Sequence, residues 1–410
     1  MESNFTSQFF AGNRAKLREL FKGRAPIVVA ANGLLQRSGD SGYAFTQDAN
    51  FWYLTGIDEP DLLLVMERDK EYLIVPKRST SRETFDGVIT ADILKNRSGI
   101  KTVYDDKSGW KQLEVRLKKV KHVATVAPAP AYIDHFGLYA NPARAALLTR
   151  LKAYKPDLEL LDLGPHLSRL RMIKQPVEIA AIQKAIDITV SSIKAAIKPS
   201  KLKAYKHEYE IEAELSRGFR RSGSEGHAFE PIVAAGSRAC TLHSVSNSGA
   251  LADNQLIVID VGAQSEYYAA DITRTVCKGS FTKRQQAVYN SVLEVQNFAL
   301  GLLQPGLMLK DYEQEVEHFM GEKLRELGLI KTINPANVRK FYPHATSHFL
   351  GLNVHDVGDY DRPLEPGVVL TVEPGIYIKQ ESIGVRIEDD VLITPTGNKI
   401  LTNKLSREPL

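Results

Sequence analysis

Two aspartates interrupt a segment of otherwise apolar, β-prone sequence, and this feature most limits how the chain can fold. The segment VIDVGAQSEYYAADITRTV runs from Val258 to Val276 and carries Asp260 and Asp271. An unpaired carboxylate is costly to bury. An antiparallel hairpin that pairs Asp260 with Asp271, with its turn near residues 265–266, would hold both Cβ atoms on one face about 5 Å apart. Like charges at that distance repel, and a divalent cation between them would remove the conflict.

A second acidic pair follows the same pattern nearer the C-terminus. Glu373 follows the apolar run 368–372, and Glu388 lies in another apolar segment just after Arg386. A purely structural explanation is open for each pair. One aspartate could cap a turn while the other binds Arg274, and Glu388 could bind Arg386. Two such interruptions in one region nevertheless favour a shared cation site.

Three of the chain's ten histidines, His344, His348 and His355, lie between the two acidic pairs. The sequence has no HExxH motif, which excludes the helix-borne zinc site of that class. Carboxylate ligands favour Mn²⁺ or Mg²⁺, and an imidazole ligand also allows Zn²⁺, Co²⁺ or Fe²⁺. Four carboxylates exceed what one catalytic ion needs. The pattern therefore predicts two ions about 3.5–4 Å apart with bridging carboxylates.

Composition and charge exclude several other classes of protein. The net charge is +4, and the basic residues are spread along the chain without a nucleic-acid-binding motif, so no nucleic-acid partner is expected. The two cysteines, Cys240 and Cys277, have neither disulfide-framework nor metal-site spacing. The N-terminus lacks the apolar region of a secretory signal, and no apolar run approaches the roughly 20 residues of a membrane span. A cytoplasmic enzyme without a membrane partner is expected.

The pattern of predicted elements changes near residue 170. Before it, short β-like runs alternate with helical patterns, which predicts an α/β domain with a mostly parallel or mixed sheet. This region contains neither GxGxxG nor a P-loop, which argues against a nucleotide site. After it, Pro176 is placed to begin a helix whose apolar residues recur every three or four positions up to Ile197. We therefore expect two domains, residues 1–169 and 170–410.

Four motifs carry a family resemblance: DVGAQSEYYAADITRT, SHFLGLNVHD, TVEPGIY and VRIEDD. In order and spacing, over residues 170–400, they resemble the motifs of the pita-bread metallopeptidases, the family of methionine aminopeptidase, prolidase and aminopeptidase P. The earlier segment SGDSGYAFTQDANFWYLTGIDEPDLLLV is similar to the aminopeptidase P type N-terminal domain. The resemblance implies an α/β N-terminal domain followed by an α+β pita-bread catalytic domain.

The resemblance also implies a set of metal ligands. Asp271 and Glu388 match the positions that bridge two ions in the family. Asp260 matches a ligand of one ion, and His348 and Glu373 match ligands of the other. Two divalent ions per chain are therefore expected, with Mn²⁺ first and Zn²⁺, Co²⁺ or Fe²⁺ as alternatives.

Further residues match catalytic positions of the family. His243 matches the catalytic histidine upstream of the first aspartate, and His355 matches the histidine near the scissile carbonyl. Glu373 is the expected proton shuttle between water and the leaving nitrogen. Three residues match positions in the substrate pocket or around the ligands: His344, Tyr377 and Arg386.

The implied activity is that of a homo-oligomeric (dimeric or tetrameric) Xaa-Pro aminopeptidase acting on small proline-containing peptides. A prolidase, a creatinase-like hydrolase of a non-peptide and a non-catalytic protein-binding module stay open as alternatives. Such modules typically lose metal ligands, whereas all five are present here. The sequence departs from the family twice. Ala345 replaces the glycine of HGxxH, and FDGVIT at Phe85–Thr90 replaces a Trp-x-Gly-x-Arg segment that in the family reaches a neighbouring subunit's active site.

Overall fold

The computed structural model describes residues 4–126, 133 and 135–409. The chain divides into two compact units, Met1–Leu170 and Arg171–Leu410. Among the described residues, no helix combines the length and the apolar character needed to cross a membrane.

The N-terminal unit is built on a six-stranded mixed sheet with the strand order β6-β5-β4-β1-β7-β8. These strands are β1 (Ile27–Ala30), β4 (Leu63–Met66), β5 (Glu71–Val75), β6 (Val103–Asp105), β7 (His122–Thr125) and β8 (Glu159–Asp162). A separate small hairpin comprises β2 (Gln36–Ser38) and β3 (Ser41–Gly42). Strand β1 runs parallel to β7 and antiparallel to β4. The predicted α/β domain with a mixed sheet is confirmed.

Helices alternate with these strands. They are α1 (Ser7–Phe21), α2 (Ala49–Thr55), α3 (Thr80–Asp86), α4 (Ala91–Ser98), α5 (Asp106–Leu117), α6 (Ala143–Tyr154) and α7 (Gly164–Met172). Helix α1 ends one residue before Gly23. Lys22 ends the helix in the left-handed region with φ 49°, and its N–H bonds the carbonyl of Arg18.

The C-terminal unit opens with α8 (Pro176–Ala196), which begins at the proline that the sequence indicated. Glu178 accepts a hydrogen bond from the Gln175 amide at 2.8 Å, so the start of the helix is held by a local capping interaction. The helices that follow are α9 (Pro199–Ala204), α10 (Glu208–Arg221), α11 (Lys283–Leu302), α12 (Leu309–Glu326) and α13 (Pro335–Val338).

The strands of this unit form small antiparallel sheets, with orders β10-β11-β14, β13-β12-β9, β15-β18-β19 and β16-β17. The first group comprises β9 (Gly226–His227), β10 (Ile232–Ala235), β11 (Leu256–Val261), β12 (Ala263–Ser265), β13 (Tyr268–Ala269) and β14 (Ile272–Cys277). The second comprises β15 (Val369–Val372), β16 (Gly375–Ile378), β17 (Ile383–Arg386), β18 (Asp389–Thr394) and β19 (Gly397–Ile400). Helix α11 packs on β15, β16 and β17, α12 packs on α11, and residues of both helices belong to the main apolar core.

The hairpin register predicted for the first acidic pair was wrong by two residues. Asp260 faces Thr273 rather than Asp271. The turn falls at Glu266 and Tyr267, whose φ angles of 50° and 70° fit a tight two-residue connection. Their amides donate to the carboxylate of Glu225 at 2.8 and 3.1 Å, a support from a distant part of the chain. A shift of two residues leaves each side chain on the same face of the hairpin.

Candidate metal centre

Acidic residues from several strand ends meet one histidine in the C-terminal unit. One potential ligand atom from each of Asp271, His348 and Glu388 lies within 4.8 Å of the other two. Nε2 of His348 is 3.5 Å from Oδ2 of Asp271 and 3.6 Å from Oε1 of Glu373. Asp260 acts electrostatically on the same carboxylates. The cluster thus contains each of the predicted ligands.

Backbone pairing explains why these side chains converge. Glu373 directly follows β15, Glu388 directly precedes β18, and the two strands are paired antiparallel from Val369 to Val372. The carbonyl of His348 accepts from the amide of Thr371 at 3.0 Å, which ties the histidine loop to the edge of β15.

Burial and mutual repulsion govern the protonation of these groups. Burial, followed by repulsion from Glu388 and Asp260, raises the pKa of Asp271 well above its usual value. Burial, followed by repulsion from Glu373, does the same to the pKa of Glu388. Burial also raises the pKa of Glu373 to about 8 and lowers that of His348 to about 3. Without a cation, burial and repulsion therefore favour protons on Asp271, Glu373 and Glu388, and a neutral imidazole on His348.

The donor atoms fit a divalent ion. Within the part of the chain that the structure describes, Oδ1 of Asp260, Oδ1 of Asp271 and Oε1 of Glu388 are buried and lack a hydrogen-bond partner. Nδ1 of His348 lies 3.1 Å from the carbonyl of Phe349, which assigns the ring proton to Nδ1 and leaves the Nε2 lone pair available. Buried carboxylate oxygens and an imidazole nitrogen that point at one another form a hard, anionic donor set suited to a divalent metal.

Arg386 connects the ligands to neighbouring side chains. Its guanidinium donates to Oδ2 of Asp260 at 2.6 Å, to the hydroxyl of Tyr377 at 2.9 Å and to Oγ1 of Thr273 at 3.2 Å. Thr273 in turn donates to Oε2 of Glu388 at 2.6 Å. The alternative in which Arg274 neutralises an aspartate of the first pair is wrong, because Arg274 pairs with Asp389 at 2.7 Å.

The other predicted histidines surround the cluster. Nε2 of His344 lies 2.9 Å from the hydroxyl of Tyr377, and the rings of His348 and His355 meet edge to face at 4.4 Å. Burial, followed by the positive field of His243, lowers the pKa of His355. His243 also lies close enough to His344 to lower its pKa, although burial dominates there. The structure thus brings the ten residues that the sequence indicated into one region.

The alanine that departs from the family motif fits its loop without strain. Ala345 is absent from the described residues with positive φ, so its backbone does not require glycine. Its carbonyl accepts a hydrogen bond from Nδ1 of His344 at 2.9 Å. The substitution therefore leaves both ring nitrogens of His344 with a hydrogen bond, Nδ1 to this carbonyl and Nε2 to the Tyr377 hydroxyl.

Several residues of the site carried no signal in the sequence. Thr273 lies in an apolar strand, and its contact with Glu388 depends on strands far apart in the chain. Glu313, on α12, accepts hydrogen bonds from the loop before His348, although it reads as a surface residue of an amphipathic helix. Asp356 lies buried against Arg171 and Lys174. Only its position next to His355 could have drawn attention to it.

Two family models match the chain. Residues 180–395 match the model described as metallopeptidase family M24. Residues 10–125 match that of the aminopeptidase P N-terminal domain. Together these matches cover parts of both compact units.

Individual relatives match over nearly the whole length. A Xaa-Pro aminopeptidase of Haemophilus influenzae is 36% identical over 403 residues, which span 91% of this chain and 89% of the relative. The structure of Escherichia coli aminopeptidase P with the inhibitor Pro-Leu has a TM-score of 0.86 at 31% identity, covering 99% and 97% of the two chains. Proline aminopeptidase P II of Yersinia pestis gives a TM-score of 0.85 at 32% identity, covering 99% and 98%.

Proposed function

Since the chain belongs to metallopeptidase family M24, we propose that it hydrolyses its substrates with two divalent ions, for which Mn²⁺ is the best-suited metal. The proposed ligands are the buried side chains of the cluster: Asp260, Asp271, His348, Glu373 and Glu388. The observation that carries this proposal is the convergence of partnerless carboxylate oxygens on His348. All the ligand types of the family motif are present, which disfavours a non-catalytic binding module.

The activity is that of an Xaa-Pro aminopeptidase, which removes the N-terminal residue before a proline. This assignment follows from relatives of that activity that match along nearly the full length of the chain. The Pro-Leu inhibitor bound to the E. coli relative supports a small proline-containing peptide as the substrate class. A prolidase is the second candidate, and the two differ in whether a residue must follow the proline.

The residues around the cluster have distinct proposed roles. When bound, the two ions would supply an acidified water and charge stabilisation for the developing oxyanion. Glu373 accepts a proton from water and passes it to the leaving nitrogen, because an ionised carboxylate is a general base and, once protonated, a general acid. His243 and His355 stay outside the ligand set and donate to the substrate carbonyl region. Arg386 fixes Asp260 and Tyr377, and Tyr377 in turn orients His344.

The arrangement of the whole protein is also part of the proposal. Residues 1–169 form the aminopeptidase P type N-terminal domain, and residues 170–410 form the catalytic domain. We place the enzyme in the cytoplasm as a homo-oligomer, a dimer or tetramer. Light scattering of the purified protein at several concentrations tests the assembly.

Metal removal tests the proposed function. The protein is treated with EDTA, dialysed, and assayed with Ala-Pro-Ala before and after Mn²⁺ is restored, with metal content measured by elemental analysis. We expect about two ions per chain, loss of turnover with EDTA and its return with Mn²⁺. Asp271→Asn and Glu388→Gln should lose activity by several orders of magnitude, whereas Asp253→Asn, at an exposed loop position, should not. Full turnover by metal-free protein would refute the proposal.

A further inference from the structure

Glu313 is an acidic residue that contacts the histidine loop from outside the strands that carry the cluster. It lies on α12, and its part-buried carboxylate faces the segment immediately before His348. The amide of Thr346 donates to both carboxylate oxygens at 3.0 and 2.9 Å, and that of Ser347 donates at 3.1 Å. The Thr346 hydroxyl adds a further hydrogen bond at 3.0 Å. One carboxylate thus accepts hydrogen bonds from two consecutive loop residues.

The chemistry of this contact requires a carboxylate. All the groups that the loop presents to Glu313 are donors, and an ionised carboxylate offers only acceptors. A glutamine of the same shape would turn one of its oxygens into a donor, which would face a backbone N–H. The loop would then lose at least one charge-assisted hydrogen bond, the stronger kind in proteins.

Neighbouring side chains make the support rigid. The hydroxyl of Tyr312, next to Glu313 on α12, lies 3.1 Å from that of Ser347. The hydroxyls of Tyr342 and Thr346 are 2.6 Å apart. Both tyrosines are fully buried in the main apolar core. The loop is therefore fixed against the helix at several points.

The same loop residues contact the catalytic groups directly. The carbonyl of Thr346 accepts from the amide of Glu373 at 2.9 Å. His348 follows Ser347 in the chain, and His344 lies two residues before Thr346. A displacement of Thr346 would therefore move the proposed proton shuttle together with a proposed metal ligand.

We propose that Glu313 is a positioning residue of the metallopeptidase reaction, which sets His348 and Glu373 through the backbone of Thr346 and Ser347. The inference rests on the proposed function and deepens it. Within the described residues, the hydrogen bonds of Glu313 go to Thr346 and Ser347 and not to the proposed ligands, although its charge also acts across space on the Glu373 carboxyl.

A cavity beside α12 allows this role of Glu313 to be tested by chemical rescue with a small carboxylate. Its volume is about 500 Å³, and it is lined by Glu313 together with Lys310, Glu317, Val338 and Arg339. Arg339, which also lines the cavity, donates to the carbonyl of His344 at 2.7 Å and so contacts the same loop. The space easily accepts formate or acetate, which could occupy the position of a deleted carboxylate.

The test compares Glu313→Gln and Glu313→Ala with wild type in the full-length, Mn²⁺-loaded protein. We expect kcat for Ala-Pro-Ala to fall about 10- to 100-fold in Glu313→Gln with KM nearly unchanged, because the loop loses charge-assisted hydrogen bonds. In Glu313→Ala, added formate should raise kcat several-fold but have no effect on wild type. The matched control is Glu315→Gln, the same change at an exposed position of α12.

Metal binding gives a readout that is independent of turnover. Because His348 is held through Ser347, Glu313→Gln should bind Mn²⁺ more weakly than wild type in a direct titration. If Glu313→Ala does not fold, Glu313→Asp takes its place, with a shorter carboxylate that should retain more kcat than glutamine.

Two results would overturn the proposal: a wild-type kcat in Glu313→Gln, whether or not its melting temperature is lowered, or an equally large loss of kcat in the control Glu315→Gln. Inactivity of wild type itself would instead refute the proposed function, so the two failures are distinguishable.

Discussion

At the scale of single residues, the centre is defined by carboxylates that are hard to ionise without a cation. Burial comes first among the causes that raise the pKa of Asp271 and Glu388, and repulsion among the acids follows. A divalent ion reverses this balance, because it favours the ionised form of each ligand. Metal binding and proton release should therefore be coupled.

The first prediction is that Mn²⁺ binding to the metal-free protein releases protons at pH 6. Glu373 has a folded-state pKa of about 8, above its value of roughly 4.3 in an unfolded chain. Between about pH 4 and pH 8 the unfolded chain has lost this proton while the folded protein keeps it, so the metal-free fold becomes less stable as the pH rises. The apparent Mn²⁺ affinity should increase over the same window, because fewer protons have to leave when the metal binds. Calorimetry in two buffers with different ionisation enthalpies counts the protons. Equal heats in both buffers would contradict the prediction.

The second prediction separates catalytic histidines from metal ligands. His243→Ala and His355→Ala should each lower kcat by about 10²- to 10⁴-fold while Mn²⁺ content stays at the wild-type level, because these side chains act on substrate. His318→Ala, at an exposed position of α12, is the control and should behave like wild type. Loss of metal from either active-site variant would make that histidine a ligand, and an unchanged kcat would make it structural.

At the scale of elements, a buried group of charges fixes the segment that carries His355. Asp356 pairs with Arg171 and lies 3.5 Å from Lys174, and all three side chains are almost fully buried. The fit is close at Gly351, where a Cβ atom would lie 2.1 Å from Oδ2 of Asp356. The amide of Asp356 also donates to the carbonyl of Phe349 at 2.8 Å. These contacts join the first residues of the catalytic unit to the histidine segment.

The third prediction is that Asp356→Asn destabilises the catalytic unit. Removal of this charge leaves the buried guanidinium of Arg171 without its anion, and breaking a buried ion pair from one side costs about 3–5 kcal/mol. Urea unfolding of the Mn²⁺-loaded protein, followed by near-UV circular dichroism, measures the loss. Asp361→Asn, at an exposed position in the same segment, is the control. Equal unfolding midpoints for the two variants would show that the buried charges do not stabilise the segment.

Elements with local signals could be predicted from the sequence, and those that depend on distant partners could not. The start of α8 was predictable because Pro176 and the capping residue Glu178 are adjacent to it. The hairpin register failed because its turn at 266–267 is supported by Glu225, about forty residues earlier. Glu313 was missed for the same reason, since its partners lie more than thirty residues away.

At the scale of the whole molecule, the predicted α/β and pita-bread organisation is confirmed by family matches in both parts of the chain. The sequence could indicate the cluster because its ligands lie in short motifs whose order is characteristic. The order of the motifs does not show how the C-terminal end of a substrate is recognised. That question separates an aminopeptidase from a prolidase, and it depends on a cation placed for the terminal carboxylate of a dipeptide.

Arg362 lies in the sequence between His355 and Glu373 and is a cation to consider for such a role. In the structure its guanidinium lies 3.6 Å from Oε1 of Glu365, three residues further along the chain, and both side chains are partly exposed. Its ion-pair partner is thus a residue of its own segment and not a group of the cluster. A dipeptide would therefore gain little from Arg362, which agrees with the full-length match to Xaa-Pro aminopeptidases.

The last prediction follows from this arrangement. Ala-Pro-Ala should be cleaved with a kcat/KM about 10-fold or more above that of Ala-Pro, because an arginine aimed at a dipeptide carboxylate would contribute about 1.5–3 kcal/mol and we expect Arg362 not to supply it. Initial rates at several concentrations of each peptide, with saturating Mn²⁺, give the ratio. Arg362→Gln serves as the matched variant and should leave the ratio unchanged. A clear preference for Ala-Pro that Arg362→Gln abolishes would identify the enzyme as a prolidase and Arg362 as its carboxylate receptor.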